Sequence, residues 1–323
     1  MLLLLTLCSG LGLWGYARLA PLWGLVDLPN ARSLHEQPTV VGGGVIPVSV
    51  IIGCLALGGV ASFSIAAEVS LLLAGLMAIG LADDRWGIPA AFRLVCYLAA
   101  GLALVGVVLP VTDAISPAQL LMMAVAGIGV AWCTNLFNFM DGVDGIAMVQ
   151  LLSVACGLGL VAMFSPVGSP ELVTLCSVLF AACLPFLWFN WPPAKLFMGD
   201  AGAIPLGFFL ALLGLLAVRS SAMLACVWLI LMMPFIVDTG LTLCVRTFAG
   251  KPPHLAHRDH AYQRLTIKMG GSLPVVLGLM GLQVIWQFPL AVTAVSSQLF
   301  PPLLVVLSAI PALMVVVYAR ASA

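Results

Sequence analysis

The chain has 323 residues, of which 63% are hydrophobic and only 7% charged, and its mean hydropathy is +1.20. No water-soluble globular domain carries that balance, so residence in a membrane is expected. Twelve basic and twelve acidic side chains cancel to zero net charge, which removes the case for a nucleic-acid partner.

A bilayer core takes about 20 mostly apolar residues per helix. The first apolar run, 2–22, lacks the basic start of a cleaved signal peptide and is expected to remain as the first helix. A polar segment, 27–44, follows. It ends in Pro38-Thr-Val-Val-Gly-Gly-Gly, whose backbone amides offer a weak phosphate cradle. Runs 45–64 and 69–82 precede a second polar segment, 83–93; runs 94–111 and 117–134 precede a third, 135–145. Runs 146–164 and 172–189 lead to segment 190–202, runs 203–218 and 222–245 to segment 246–271, and runs 273–290 and 295–318 complete the chain. That makes eleven spans; 69–82 and 203–218 are short, so ten is the alternative. The fold expected is an all-α integral membrane protein. It would be a polytopic bundle forming one domain over 1–323, with its active site built from polar loops.

Orientation follows from lysine and arginine. With eleven spans, one face holds Arg18, Arg32, Arg85, Arg93, Lys195, Arg246, Lys251, Arg258, Arg264, Lys268 and Arg320, and the other holds Arg219 alone. The first face is therefore expected to be cytoplasmic, with the N-terminus outside. The nine cysteines fall mainly inside apolar runs without ligand spacing, and read as small packing residues rather than disulfides or a metal site.

The carboxylates gather in the polar segments. Asp83-Asp84 directly follows the third span, where paired carboxylates can hold a divalent cation or push one another's pKa upward. The plain alternative is an acidic helix end facing water. The pair does not open a DDxxD diphosphate motif, because Gly87 occupies the last position. In Asn135-Leu-Phe-Asn138-Phe-Met-Asp141-Gly-Val-Asp144-Gly145, three-residue spacing puts Asn135, Asn138 and Asp141 close together if the helix persists. Amide and carboxylate oxygens suit a hard cation such as Mg²⁺. A polar turn would explain the glycines but not four side chains in register. In 190–202, Lys195 and Asp200 suit phosphate and metal, or else close a re-entrant loop as an ion pair. His257, His260 and Arg264 fall at i, i+3 and i+7, one face of a helix if 259–268 is helical, and would suit diphosphate oxygens. Zinc is the runner-up for the histidines, and a basic helix on anionic lipid is the plain reading for Lys268. Asp238, inside a span, is as suited to bracing helices as to chemistry.

Taken in order, these motifs resemble those of the polyprenyl-phosphate N-acetylhexosamine-1-phosphate transferases. The likeness runs through Asp27-Leu-Pro-Asn-Ala-Arg-Ser-Leu-His35, Asp83-Asp84, Asn135 to Gly145, Phe197-Met-Gly-Asp200-Ala-Gly, and His257-Arg258-Asp259-His260-Ala-Tyr-Gln-Arg264. The resemblance implies that a lipid phosphate attacks the β-phosphorus of a UDP-linked amino sugar, releasing UMP. By that likeness Asp83, Asp84 and Asp200 are catalytic, with Asp83 the base or orienter of the lipid phosphate. Asn138 and Asp200 hold Mg²⁺, with Mn²⁺ as a substitute. Substrate contacts fall to Asn135, Asp141, Asp144, Lys195, His257, Arg258, His260, Arg264 and His35. The partners implied are a UDP-N-acetylhexosamine and undecaprenyl phosphate in a bacterial inner membrane, with a homodimer allowed. His-Arg-Asp-His replaces the consecutive histidines of the translocase branch, which favours initiators of O-antigen or related glycans. A cation-coupled transporter and a prenyl-transfer enzyme are the competing readings.

Overall fold

The computed structural model describes residues 1–29, 37–60, 63–109, 116–251, 257–297 and 299–321. The positions of His35 and His254 lie outside them. Among the described residues the architecture is helical apart from one two-residue ladder, in which Val26–Asp27 pairs antiparallel with Thr39–Val40.

Helices follow the apolar runs: α1 (Leu2–Leu19), α2 (Val45–Ala56), α3 (Ala66–Trp86), α4 (Ala90–Val108), α5 (Pro117–Met140), α6 (Ile146–Phe164), α7 (Pro170–Asn190), α8 (Asp200–Ser220) and α9 (Ala222–Phe248). A short polar helix, α10 (Ala261–Met269), precedes a composite span of α11 (Leu273–Leu282), a π-helical turn at Gln283–Gln287 and α12 (Phe288–Ser296). The chain closes with α13 (Pro301–Ala321). Among the described residues, ten spans are long and apolar enough to cross a bilayer.

The exception is the second predicted run. α2 has 12 residues, a rise of ~18 Å, and stops at Leu57-Gly58-Gly59, where Gly58 takes a φ of +73°. Among the described residues the eleven-span expectation is thus met by ten helices of spanning length and one short one, and because α2 starts and α3 ends beside the start of α8, the chain still crosses between them.

Local chemistry sets several helix starts. At α5, the Ser116 hydroxyl accepts from the Gln119 amide at 3.2 Å while the Gln119 side chain accepts from Ser116 N at 2.8 Å. Ser169 and Ser221 accept from Leu172 N and Leu224 N, each at 3.1 Å, to start α7 and α9. With no water at that depth, polar side chains within the spans must find partners in the protein. Gln283 Nε2 donates to Gln150 Oε1 at 2.8 Å and to the Leu231 carbonyl at 2.9 Å.

α8 is the axis of the bundle, with 16 of its 21 residues buried among α3, α5 and α9. Its small residues let backbones approach closely. A Cβ on Gly202 would lie 2.5 Å from the Cα of Gly44, so the end of the first polar segment can rest directly on the start of α8.

Contacts at the helix ends fix which loops share a face. Tyr16, near the end of α1, donates to Val41 O at 2.9 Å. Gly44, at the start of α2, donates to Met198 O at 3.0 Å, just before α8. The end of α3 and the starts of α4 and α8 meet through Asp83, Arg93 and Asp200. Arg320, at the end of α13, donates to Thr242 near the end of α9 at 2.8 Å. Arg219 instead pairs with Glu171 at the opposite end of the bundle. The polar loops after α1, α3, α5, α7 and α9 therefore gather on one face, as the basic residues predict.

Candidate active site

The site is organised around Asp200, the first residue of the central helix. Its Oδ2 lies 2.8 Å from Arg93 Nη1, and its Oδ1 accepts from Asn138 Nδ2 at 2.8 Å. The same Arg93 nitrogen pairs with Asp83 Oδ2, and Asp83 Oδ1 accepts from the Ile88 amide at 2.6 Å. One guanidinium thus bridges carboxylates from α3 and α8. The Lys195–Asp200 pair, the plain alternative for this segment, is not formed: Asp200 takes Arg93 instead, and the Lys195 side chain is exposed.

Asp84 faces the same centre but is already engaged. Its two oxygens accept from the amides of Asp200 at 2.9 Å and Ala201 at 3.1 Å, capping α8 where unpaired N–H groups collect positive potential. Asp144 accepts from Ala194 N at 3.0 Å. Asn190 accepts from Gly145 N and donates to Leu196 O, both at 3.0 Å, so segments 135–145 and 190–202 are tied together. The first polar segment is stitched to the same place, with Phe197 N donating to Val40 O at 2.8 Å and Gly43 N to Phe197 O at 2.9 Å.

α5 stays helical through Met140, so Asn135 and Asn138 lie one turn apart as their spacing requires, and Asp141 follows at the helix end. Burial, and then the charges of Asp200, Asp84 and Asp144, push the Asp141 carboxyl well above the usual range. Asp83, Asp84, Asp141, Asp144 and Asp200 thus form a single acidic centre.

The histidine cluster differs from expectation. α10 begins at Ala261, so His257 and His260 precede the helix and do not share a helical face with Arg264. Asp238 causes this by accepting from the amides of Ala261 at 2.9 Å and Tyr262 at 3.1 Å, which starts the helix there. His260 is buried with Nδ1 3.3 Å from Asp238, and its ring stacks on His257 at 4.9 Å and Tyr262 at 5.7 Å. Burial, then the neighbouring His260 and Arg246, lower the His257 pKa to about 4. Arg264 and Arg246 both pair with Asp259. Burial alone would raise the Asp259 carboxyl, but the two arginines hold it below its ordinary value. Arg258 sits in the non-helical stretch before α10. Lys268 packs its ammonium 3.6 Å from the centre of the Tyr318 ring, fastening α10 to α13.

Beneath this cluster lies an apolar groove of about 270 Å³ between α9, α10, α11 and α13, lined by Leu265, Met269, Leu279 and Val316 and rimmed by Asp238 and Tyr262.

The donor set suits a hard divalent cation. Such an ion needs only one or two protein carboxylates when phosphates and water complete its shell, and Asp200 and Asp83 already share one cationic nitrogen. Among the described residues no group of three or more His, Cys, Asp or Glu side chains is placed to hold a metal; two of the four histidines of the zinc alternative, His35 and His254, lie outside those residues. Arg93 was not singled out from sequence. Its signal was its position, one turn into a helix beginning at Ala90, facing the carboxylates across that short turn.

The glycosyl transferase family 4 profile matches residues 66–218, the stretch that carries Asp83, Asp84, Asn138, Asp141, Asp144 and Asp200. A probable undecaprenyl-phosphate N-acetylglucosaminyl 1-phosphate transferase of Bacillus subtilis is 30% identical over 261 residues, covering 77% of this chain and 71% of the relative. The chain belongs to glycosyl transferase family 4. A decaprenyl-phosphate N-acetylglucosaminephosphotransferase of Mycolicibacterium smegmatis is likewise 30% identical, over 89% of this chain and 79% of its own length. A phospho-N-acetylmuramoyl-pentapeptide-transferase of Francisella tularensis is 28% identical, over 59% of this chain and 62% of its own. The acidic centre of this family 4 member thus lies within the matched stretch, while the histidine cluster and most of the groove-lining residues, all but Met140 and Ile146, lie beyond it.

Proposed function

We propose that this protein transfers N-acetylhexosamine-1-phosphate from a UDP-sugar to undecaprenyl phosphate on the cytoplasmic face of a bacterial inner membrane. The observation that carries the reading is the pairing of one acidic centre, set at the start of a buried central helix, with an apolar groove lined by Met140, the neighbour of Asp141 in the chain. A reaction between a water-soluble diphosphate and a lipid phosphate needs both at one interface. The names of the two 30%-identical relatives support the same reaction class.

In this reading an oxygen of the lipid phosphate attacks the β-phosphorus of the UDP-sugar. The bond from that phosphorus to the bridging oxygen breaks, UMP leaves with that oxygen, and the lipid diphospho-sugar remains. Asp200 and Asn138 would hold Mg²⁺ or Mn²⁺, whose charge, when bound, neutralises the diphosphate. Asp83 orients the lipid phosphate; a phosphate monoester with a second pKa near ~6 needs little help to ionise at neutral pH. Asp84 acts by holding the start of α8, and with it Asp200, in place. Asp141, Asp144 and Asn135 shape the nucleotide side, with Lys195 at its exposed edge, and His257, Arg258 and His260 the phosphate side. The groove takes the first isoprenoid units. Asp238, the deep carboxylate that a transporter would use for coupling, is spent on the α10 amides.

The donor sugar is proposed to be UDP-GlcNAc or a 6-deoxy relative, feeding O-antigen or related glycans. Purified protein with undecaprenyl phosphate, Mg²⁺ and a panel of UDP-N-acetylamino sugars should release UMP with one donor. Absence of UMP with every donor, from folded protein, would count against the reading.

A further inference from the structure

The bridging position of Arg93 has a consequence for the bound state. One nitrogen, Nη1, serves both Asp83 and Asp200, so a single positive charge joins the two carboxylates. The side chains are only partly exposed, 24% for Arg93, 10% for Asp83 and 27% for Asp200, so water screens the contact incompletely. Asn138 presents its amide nitrogen, a donor, to Asp200, whereas holding a cation would call on the amide oxygen. Every oxygen of Asp200 and Asp84 is thereby satisfied by protein donors.

We propose that Arg93 is the resident counter-ion of the site: it holds Asp83 and Asp200 together while no divalent cation is bound, and competes with that cation for Asp200. The inference rests on the divalent-cation reading given above. Five carboxylates drawn to one centre repel one another, and a monovalent guanidinium on α4 limits that repulsion until a doubly charged ion replaces it. Arg93 is a positioning residue here, since it acts through the two aspartates. With an ion held by Asp200 and Asn138, Arg93 would give up its contact to Asp200 and Asn138 would offer its amide oxygen. The stored arginine contact weakens metal affinity in exchange for a site that stays ordered between turnovers.

The test is Mn²⁺ binding to the full-length protein in detergent, without substrate, followed by the loss of the free-ion EPR signal. Wild type, Arg93→Gln, Arg93→Lys and Asp200→Asn are compared, with folding checked by melting temperature. Arg93→Gln should bind Mn²⁺ about tenfold more tightly, because the competing charge-assisted contact is gone. Arg93→Lys, whose ammonium is more strongly hydrated and sits on a differently shaped side chain, should hold the two carboxylates less well and shift in the same direction by less. It carries the test if the glutamine variant does not fold. Asp200→Asn should lose binding. A residue with a merely structural role would weaken binding when removed, so unchanged or weaker affinity in both Arg93 variants, with Asp200→Asn still dead, overturns the counter-ion role alone. Wild type failing to bind, or Asp200→Asn binding as well as wild type, overturns the metal reading and this inference with it.

Discussion

Asp84→Ala separates a structural carboxylate from a chemical one. Asp84 gives its two oxygens to the first two amides of α8, at 2.9 and 3.1 Å. A hydrogen bond to a charged group contributes about 1.5–3 kcal/mol when buried, and removing a helix cap costs about 1 kcal/mol. Asp84 is exposed, so water screens the contact and the alanine variant should lose only about 1 kcal/mol, the ordinary cost of a removed cap. For a chain of this size, roughly 2 °C per kcal/mol converts that to a fall of about 2 °C in melting temperature. Asp84→Asn keeps one acceptor and should lose about half as much. The assay is thermal unfolding of detergent-purified protein by intrinsic fluorescence, beside UMP release. Activity should fall together with stability, because Asp200 is carried by the same helix end. An Asp84→Ala variant that melts within about 1 °C of the parent would refute the capping argument.

Three further outcomes follow from the site. The His257 pKa is lowered to about 4 in the folded protein from 6.5, so its contribution to stability is full above pH 6.5 and is lost as pH falls toward about 4. His257→Gln should flatten the melting-temperature profile across that window, and an unchanged slope would argue against it. Gly278 faces open space in the apolar groove, so Gly278→Leu should displace about two methylenes of a lipid chain at ~0.8 kcal/mol each. The KM for polyprenyl phosphate should rise about tenfold with the KM for UDP-sugar unmoved; equal changes in both would separate the groove from the acceptor. EDTA should abolish UMP release, and Mg²⁺ or Mn²⁺ should restore it, whereas activity that survives chelation contradicts the metal assignment.

The bundle was legible in the sequence because lipid demands long apolar runs, and the charges between them marked the loops. Ten of eleven runs became spanning helices. The run at 45–64 did not, because Gly58 and Gly59 end the helix after Ala56 whatever the hydropathy beyond them. Helix starts caused the errors that mattered for the site. Arg93 was counted as a loop charge, but Pro89 admits a helix from Ala90, and α4 aims the guanidinium at Asp83 and Asp200. The spacing of His257, His260 and Arg264 suggested a common face. That pattern could not reveal that Asp238, more than twenty residues upstream, would start α10 at Ala261. Asn135, Asn138 and Asp141 were legible since one helix carries the first two and ends at the third. The partners of Asp84 and Asp144 are backbone amides, which no side-chain pattern encodes.

The most direct test of the central claim follows the β-phosphorus itself. A UDP-N-acetylamino sugar labelled at that atom is incubated with purified protein, Mg²⁺ and undecaprenyl phosphate, and the lipid is extracted. The account predicts label in the lipid fraction, matched by unlabelled UMP in the aqueous one, and neither with Asp200→Asn. Sugar reaching the lipid while the labelled phosphorus stays behind in UDP would mean transfer of the sugar without its phosphate, and would contradict the account.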